Sequence, residues 1–108
     1  MKGDNLGEFE ELTLLAACAI KGDVYGVPVQ QYVEKVTGRN VTMGAVYSAL
    51  TRLDDKGYVR SYLGDATQVR GGKRKRLYEP TAAGLAAVKE LRRVREQIWR
   101  VIEAGRRA

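Results

Sequence analysis

The order of hydrophobic periods along the chain predicts a mainly helical fold with one small β-hairpin. Three observations predict it. Apolar residues recur at helical spacing in three short segments before residue 57. The period then changes to loose alternation over residues 58–64 and 75–80, with Gly71-Gly72 between the two runs. After Pro80 a long stretch of helix-forming residues continues to residue 108.

The first helix is expected over residues 8–21, "EFEELTLLAACAIK". Glu8, Glu10 and Glu11 stand at its start, where the helix dipole favours negative charge, and Lys21-Gly22 marks its end. Between Leu12 and Ile20 only Thr13 is polar, so this helix needs cover on more than one side, part of it from a second subunit. Cys18 lies in this apolar run and is expected to be a small buried hydrophobe. The second helix is expected over about residues 27–37. Pro28 suits its first turn, Val29, Val33 and Val36 form one apolar face, and Gly38 stops it. Thr42 is placed to cap a third helix that runs to about Lys56, with Val46, Ala49, Leu50 and Leu53 as its buried stripe and Gly57 beyond its end. The short link between the second and third helices is that of a helix-turn-helix. Residues 58–64 and 75–80 form the hairpin, and Thr81 caps the last helix.

Three helices, a hairpin and a final helix make a winged helix-turn-helix. Residues 1–80 are expected to be the winged-helix DNA-binding domain. Residues 81–108 are expected to be a C-terminal dimerisation helix within the same compact unit, since 108 residues suit one domain.

Composition narrows the chemistry. The chain has no histidine and one cysteine, so the commonest general base, a thiolate cluster and an internal disulfide are all missing. No phosphate-cradling "GxxxxGK[ST]" occurs. An enzyme, a metal and a cofactor are therefore not expected. No apolar run approaches the roughly 18 residues of a membrane span, and the acidic N-terminus lacks a signal peptide's apolar centre, so the expected location is cytoplasmic.

The net charge of +6 is unevenly spread. Residues 1–57 hold six Lys/Arg against eight Asp/Glu, a net of −2, and residues 58–108 hold thirteen against five, a net of +8. Within "RGGKRKR", positions 70–76, five of seven residues are basic. A polyanion is the natural partner of such a concentration, and a solvated loop is the plainer alternative.

On the third helix positions 44, 47, 48, 51, 52 and 55 lie away from the buried stripe, and Gly44, Tyr47, Ser48, Thr51 and Arg52 are the ones suited to a groove. Gly44 and Ala45 keep the helix slim where it would approach a groove. Tyr47, Ser48 and Thr51 can donate hydrogen bonds to phosphates or base edges, and Arg52 can reach a phosphate or a guanine. With Thr42 these are the candidate DNA contacts of the recognition helix. For Tyr47 a structural phenol, and for Ser48 and Thr51 a plain surface role, stand as alternatives. Asp54 and Asp55 are expected to face away from the duplex. Arg70, Lys73, Arg74 and Lys75 are the candidate wing contacts, working mainly by counterion release.

Along the last helix Ala87, Leu91, Val94, Ile98 and Val101 recur at spacings of four and three, the seam of a paired helix. Leu91, Val94, Ile98 and Val101, with Leu12 and Leu15 of the first helix, are the expected homodimer interface. Trp99 stands beside the seam. With Ile102 and Phe9 it is a candidate pocket for a small aromatic effector, the alternative being that Trp99 only packs the interface.

Three segments in order, "LTLLAACAIKGDVYGVPVQQYVE", "TMGAVYSALTRLDDKGYV" and "KRKRLYEPTAAGLAAV", resemble the PadR family of transcriptional regulators over about residues 6–88. Tyr25-Gly26 opens the second helix as in that family, and Tyr47, Leu50, Leu53 and Gly57 fall at its expected positions. Many members carry proline where this chain has Ser48, and the single helix after the wing is similar to the short-tailed branch. The resemblance implies a homodimer on an inverted-repeat operator of double-stranded DNA, usually as a repressor, with release by a small molecule in some members. The leading reading is thus a sequence-specific transcriptional regulator. A winged-helix module that binds protein rather than DNA is the alternative, disfavoured by the basic wing; an RNA-binding winged helix is a further one.

Overall fold

The structure, a computed structural model, describes residues 5–64 and 74–107, with side chains as far as residue 105. Its elements are α1 (Glu8–Ala19), α2 (Gly26–Thr37), α3 (Met43–Asp55), β1 (Val59–Leu63), β2 (Arg76–Pro80) and α4 (Ala82–Arg107). Among the described residues, four helices and a two-stranded antiparallel hairpin are the architecture expected, with ends that coincide or move by one or two residues.

Local capping chemistry sets most of the boundaries. α2 stops because Gly38 takes a left-handed φ of 73° and its N–H donates to the Glu34 carbonyl at 2.9 Å. α3 starts where the Thr42 hydroxyl accepts from the Ala45 N–H at 3.1 Å. It ends in a Schellman turn. Gly57, at φ 79°, donates to the Asp54 carbonyl, and the Tyr58 N–H reaches back to Leu53 at 2.9 Å. The turn between α2 and α3 is held from α2. Gln30 donates to the Val41 carbonyl at 2.8 Å, and Glu34 accepts from the Val41 N–H at 2.9 Å.

β1 and β2 pair with Val59 opposite Pro80, Ser61 opposite Tyr78 and Leu63 opposite Arg76. The Tyr78 N–H also donates to Val24, which ties the hairpin to the α1–α2 loop. At the start of α4 the Thr81 hydroxyl accepts from the Gly84 N–H at 3.0 Å and donates to the Gly57 carbonyl at 2.7 Å. One residue thus caps α4 and docks it against the end of α3.

The core gathers Leu14, Val29, Val33, Val46, Leu50, Leu53, Val59, Tyr78 and Val88, so every element contributes. Phe9 packs against this cluster as a partly buried neighbour. α4 joins the core only through its first turns. From Arg92 to Gly105 every residue is exposed, and the molecule is elongated, 63 × 31 × 22 Å.

One residue of α1 departs from expectation. Cys18 is exposed, beside Pro80, Thr81, Ala82 and Leu85, rather than buried. Thr13, the one polar residue of the run, is fully buried, and among the described residues its hydroxyl has no hydrogen-bond partner. A helix that is apolar nearly all round carries no phase in its periodicity. The docking of α3 chose the side to bury, and it left Leu15 and Cys18 outside.

Candidate nucleic-acid interface

Gly44, Ser48, Thr51 and Asp55, spaced four, three and four residues apart, form one exposed line along α3. It lies opposite the buried Val46, Ala49, Leu50 and Leu53. Gly44 has open space where a side chain would begin, so the helix backbone is bare at that position. Thr42, exposed at the helix start, spends its hydroxyl on the cap. Asp54 leaves this face and accepts from the Ser61 hydroxyl on β1 at 3.1 Å. Asp55, also exposed, stands at the far end of the same line. Four residues beyond Thr51 brings it back onto the open line, so the last turn of α3 is acidic and the first half is the part suited to a polyanion.

Tyr47 sits on the flank toward α2. A Cβ at position 26 would come within 2.6 Å of the Tyr47 Cζ and hydroxyl, so Gly26 makes the room in which this phenol lies. Tyr47 is 45 % exposed, which makes it both a packing element of the α2–α3 joint and a reachable donor. The sequence signal was the Tyr25-Gly26 pair, whose reason becomes visible only with Tyr47 laid over it.

The opposite flank of α3 faces α1. Arg52 Nε donates to Glu10 Oε2 at 2.6 Å, and Lys56 Nζ donates to Glu10 Oε1 at 2.6 Å. Burial by itself would raise the Glu10 carboxyl, but hydrogen bonds from Lys56 and Arg52 outweigh it and hold the group below the usual carboxylate range. The neighbouring acids act alike. Glu8 pairs with Arg39 after α2 at 3.3 Å, and Glu11 accepts from Arg95 of α4 at 2.6 Å. The acidic first turn of α1, read from sequence as a dipole feature, stitches three other parts of the chain together. No spacing rule announces these pairs, because the partners are 31 to 84 residues away.

At the base of the wing Arg74 is exposed and its Nε donates to the Gly64 carbonyl at 2.8 Å, bridging the two arms of the hairpin. Lys75 rests its ammonium over the Tyr25 ring, 4.3 Å from the centroid. Arg76 donates to the Ser61 hydroxyl at 3.2 Å. Arg70 and Lys73, the other two candidate wing contacts, lie outside the described residues.

The candidate interface residues of α4 divide. Leu91 is half-buried, while Val94, Ile98 and Val101 stand exposed on one side of the helix. Trp99 projects from another side. It lines a groove of about 410 Å³ between α1 and α4, with Glu11, Leu15, Leu85, Val88, Lys89, Arg92, Arg95 and Glu96. Neither Phe9 nor Ile102 lines it. Leu12 and Leu15 of α1 face a second groove, of about 310 Å³, shared with Tyr32, Val33 and Val36 of α2. Among the described residues no helix is long and apolar enough to cross a membrane, and no cluster of metal-ligating side chains occurs.

The family model described as "Transcriptional regulator PadR-like family" matches residues 14–90. The chain belongs to this PadR-like family. That membership makes it a transcriptional regulator rather than an enzyme. No curated protein matches its sequence. Among solved structures, a transcriptional regulator from Clostridium thermocellum is 26 % identical, with a TM-score of 0.67 over 88 % of this chain and 89 % of that one. A PadR-like transcriptional regulator from Bacillus cereus is 18 % identical, with a TM-score of 0.68 over 93 % and 92 %. Bacillus subtilis PadR, solved in complex with operator DNA, is 19 % identical, with a TM-score of 0.64 over 81 % of this chain and 48 % of that one. The latter two share the fold. In this PadR-like chain the family match spans the second half of α1, α2, α3, both strands and the first turns of α4, and it includes every candidate DNA contact.

Proposed function

We propose that this PadR-like regulator is a sequence-specific DNA-binding repressor that engages an inverted-repeat operator as a homodimer. The observation that carries the reading is the bare, hydroxyl-bearing line Gly44–Ser48–Thr51 on α3, beside a wing base that presents Arg74, Lys75 and Arg76. The major groove is about 12 Å wide and admits one helix, and small residues such as Gly44 and Ala45 let the start of that helix approach closely. Ser48 and Thr51 then meet base edges, while the wing cations neutralise phosphates. The operator complex of Bacillus subtilis PadR supports double-stranded DNA as the partner.

The projecting half of α4 supports the dimer. Val94, Ile98 and Val101 are 38–69 % exposed in the single chain, and burying that remaining fraction of each stabilises by roughly 0.6–2 kcal/mol. A second copy packed on this face, reaching Leu12 and Leu15, covers them all. Two-fold pairing also sets two α3 helices about 34 Å apart, one turn of duplex. The α1–α4 groove is the proposed effector site. Trp99 and Leu85 offer an apolar wall to a planar aromatic compound, and tryptophan fluorescence reads its binding. The deciding experiment is a mobility-shift titration on the duplex upstream of the protein's own gene, run at several salt concentrations. A dimer-sized shift that weakens steeply with salt is expected. The absence of any shift at low salt defeats the reading.

A further inference from the structure

The geometry points to Glu10 as a positioning residue for DNA binding: it holds Arg52 by its Nε so that the two terminal Nη groups are presented to a phosphate on the groove wall. This rests on the DNA-binding reading above. A helix with its side chains is about 10–12 Å across and the major groove about 12 Å wide, so side chains on the flanks of an inserted helix meet the walls, which are sugar and phosphate. Arg52 is on such a flank, off the Gly44–Ser48–Thr51–Asp55 line and turned to α1, where Glu10 waits.

The two partners differ in exposure. The Glu10 side chain is 10 % exposed and is held from its other oxygen by Lys56, so it is an anchored acceptor rather than a loose surface acid. The Arg52 side chain is 54 % exposed. Its Nε is taken, and its Nη groups make no hydrogen bond to any described residue. A guanidinium can serve a carboxylate and a phosphate at once through different edges, whereas an ammonium cannot serve both in fixed directions. Anchoring removes the ordering cost that a free arginine meets when it grips a phosphate.

The consequence has an unusual sign. Glu10 is an anion close to the proposed DNA surface, so simple electrostatics makes Glu10→Gln bind DNA more tightly. Positioning makes it bind more weakly, by about two- to tenfold per protomer, the effect of ordering one long side chain on binding. In an Arg52→Ala background there is nothing left to position, and Glu10→Gln then leaves affinity unchanged or raises it. Arg52→Lys preserves the ion pair to Glu10, and with it the joint between α1 and α3, but presents no second donor edge, so it binds about as weakly as Arg52→Ala.

The test is fluorescence anisotropy on a labelled mixed-sequence duplex of about 30 base pairs, long enough for two half-sites. The full chain is compared with Glu10→Gln, Arg52→Ala, Arg52→Lys and the Glu10→Gln/Arg52→Ala double variant, each with a thermal melt. A fall with Glu10→Gln that vanishes or reverses in the Arg52→Ala background supports the inference. Tighter binding in both backgrounds, or an equal fall in both tracking lost thermal stability, overturns it. So does Arg52→Lys binding like the unmodified chain, a result that needs no Glu10 variant to fold. If the unmodified chain binds no duplex at low salt, the DNA-binding reading itself fails and this inference falls with it.

Discussion

Replacing Gly84 by alanine sets helix propensity against sterics, and the structure decides which wins. Alanine is favoured over glycine inside a helix by roughly 0.5–1 kcal/mol, so the sequence of α4 alone predicts that Gly84→Ala stabilises. In the folded chain a Cβ at this position would lie 2.1 Å from the Tyr58 carbonyl oxygen. An ordinary carbon–oxygen contact is about 3.3 Å, so the start of α4 must retreat by about 1.2 Å. The obstacle is backbone, and it cannot swing aside. The same carbonyl accepts from the Thr81 N–H at 3.0 Å, and Thr81 donates to Gly57 at 2.7 Å. The retreat therefore stretches both hydrogen bonds that dock α4 on the end of α3. Overpacking costs about 1–3 kcal/mol and a weakened hydrogen bond about 0.5–1.5 kcal/mol. After the propensity gain is subtracted, Gly84→Ala should destabilise by about 1–5 kcal/mol. Gly105→Ala is the internal control, because open space surrounds that position and only the propensity gain applies. Urea denaturation followed by circular dichroism, at fixed protein concentration, reads both. A Gly84→Ala midpoint equal to or above that of the unmodified chain refutes the reasoning.

The remaining predictions concern other parts of the molecule. Thr13→Val replaces a buried hydroxyl that has no described partner and should stabilise by about 1 kcal/mol, a rise of about 4–8 °C in Tm; a lower Tm means the hydroxyl is satisfied in solution. Glu10 is held below the usual carboxylate range in the folded chain, so the stability it contributes is present above the unfolded pKa, near 4, and is lost as the pH falls through its lower folded value. Glu10→Gln should accordingly flatten the acid limb of the stability–pH curve, and an unchanged limb below about pH 4 contradicts this. Ile98→Asp puts a charge into the proposed seam and should yield single chains in analytical ultracentrifugation while α1–α3 stay folded; a persisting dimer moves the interface elsewhere. Arg74→Ala should weaken binding to all duplexes alike and reduce the log–log salt slope by about one unit per protomer, whereas loss of operator affinity alone would place Arg74 on a base.

Much of the fold was legible because its signals act over a few residues. Thr42 and Thr81 cap the N–H groups three residues ahead, and Gly38 and Gly57 close turns that only a left-handed residue completes. The stripe Val46–Ala49–Leu50–Leu53 declared which face of α3 is buried, and by subtraction which is open. The composition removed histidine chemistry, and the wing concentrated the charge. These are properties of neighbours in sequence, so the order of elements, the exposed line on α3 and the exposed apolar positions along α4 could be read without coordinates.

Only the tertiary structure decided which distant groups share a charge or a side of a helix. Glu10 could have faced water; the packing of α1 on α3 gave it Arg52 and Lys56 instead. α1, apolar almost all round, buried Thr13 and exposed Cys18 because no period recorded which side its neighbours would take. Trp99 went to the α1–α4 groove, away from Phe9, for the same reason. Gly26 and Gly84 looked like ordinary helix residues until the Tyr47 phenol and the Tyr58 carbonyl were found against them. Hydrogen bonds within a turn are specified by spacing, but contacts across many residues of sequence are specified by the packed shape, which no short stretch contains.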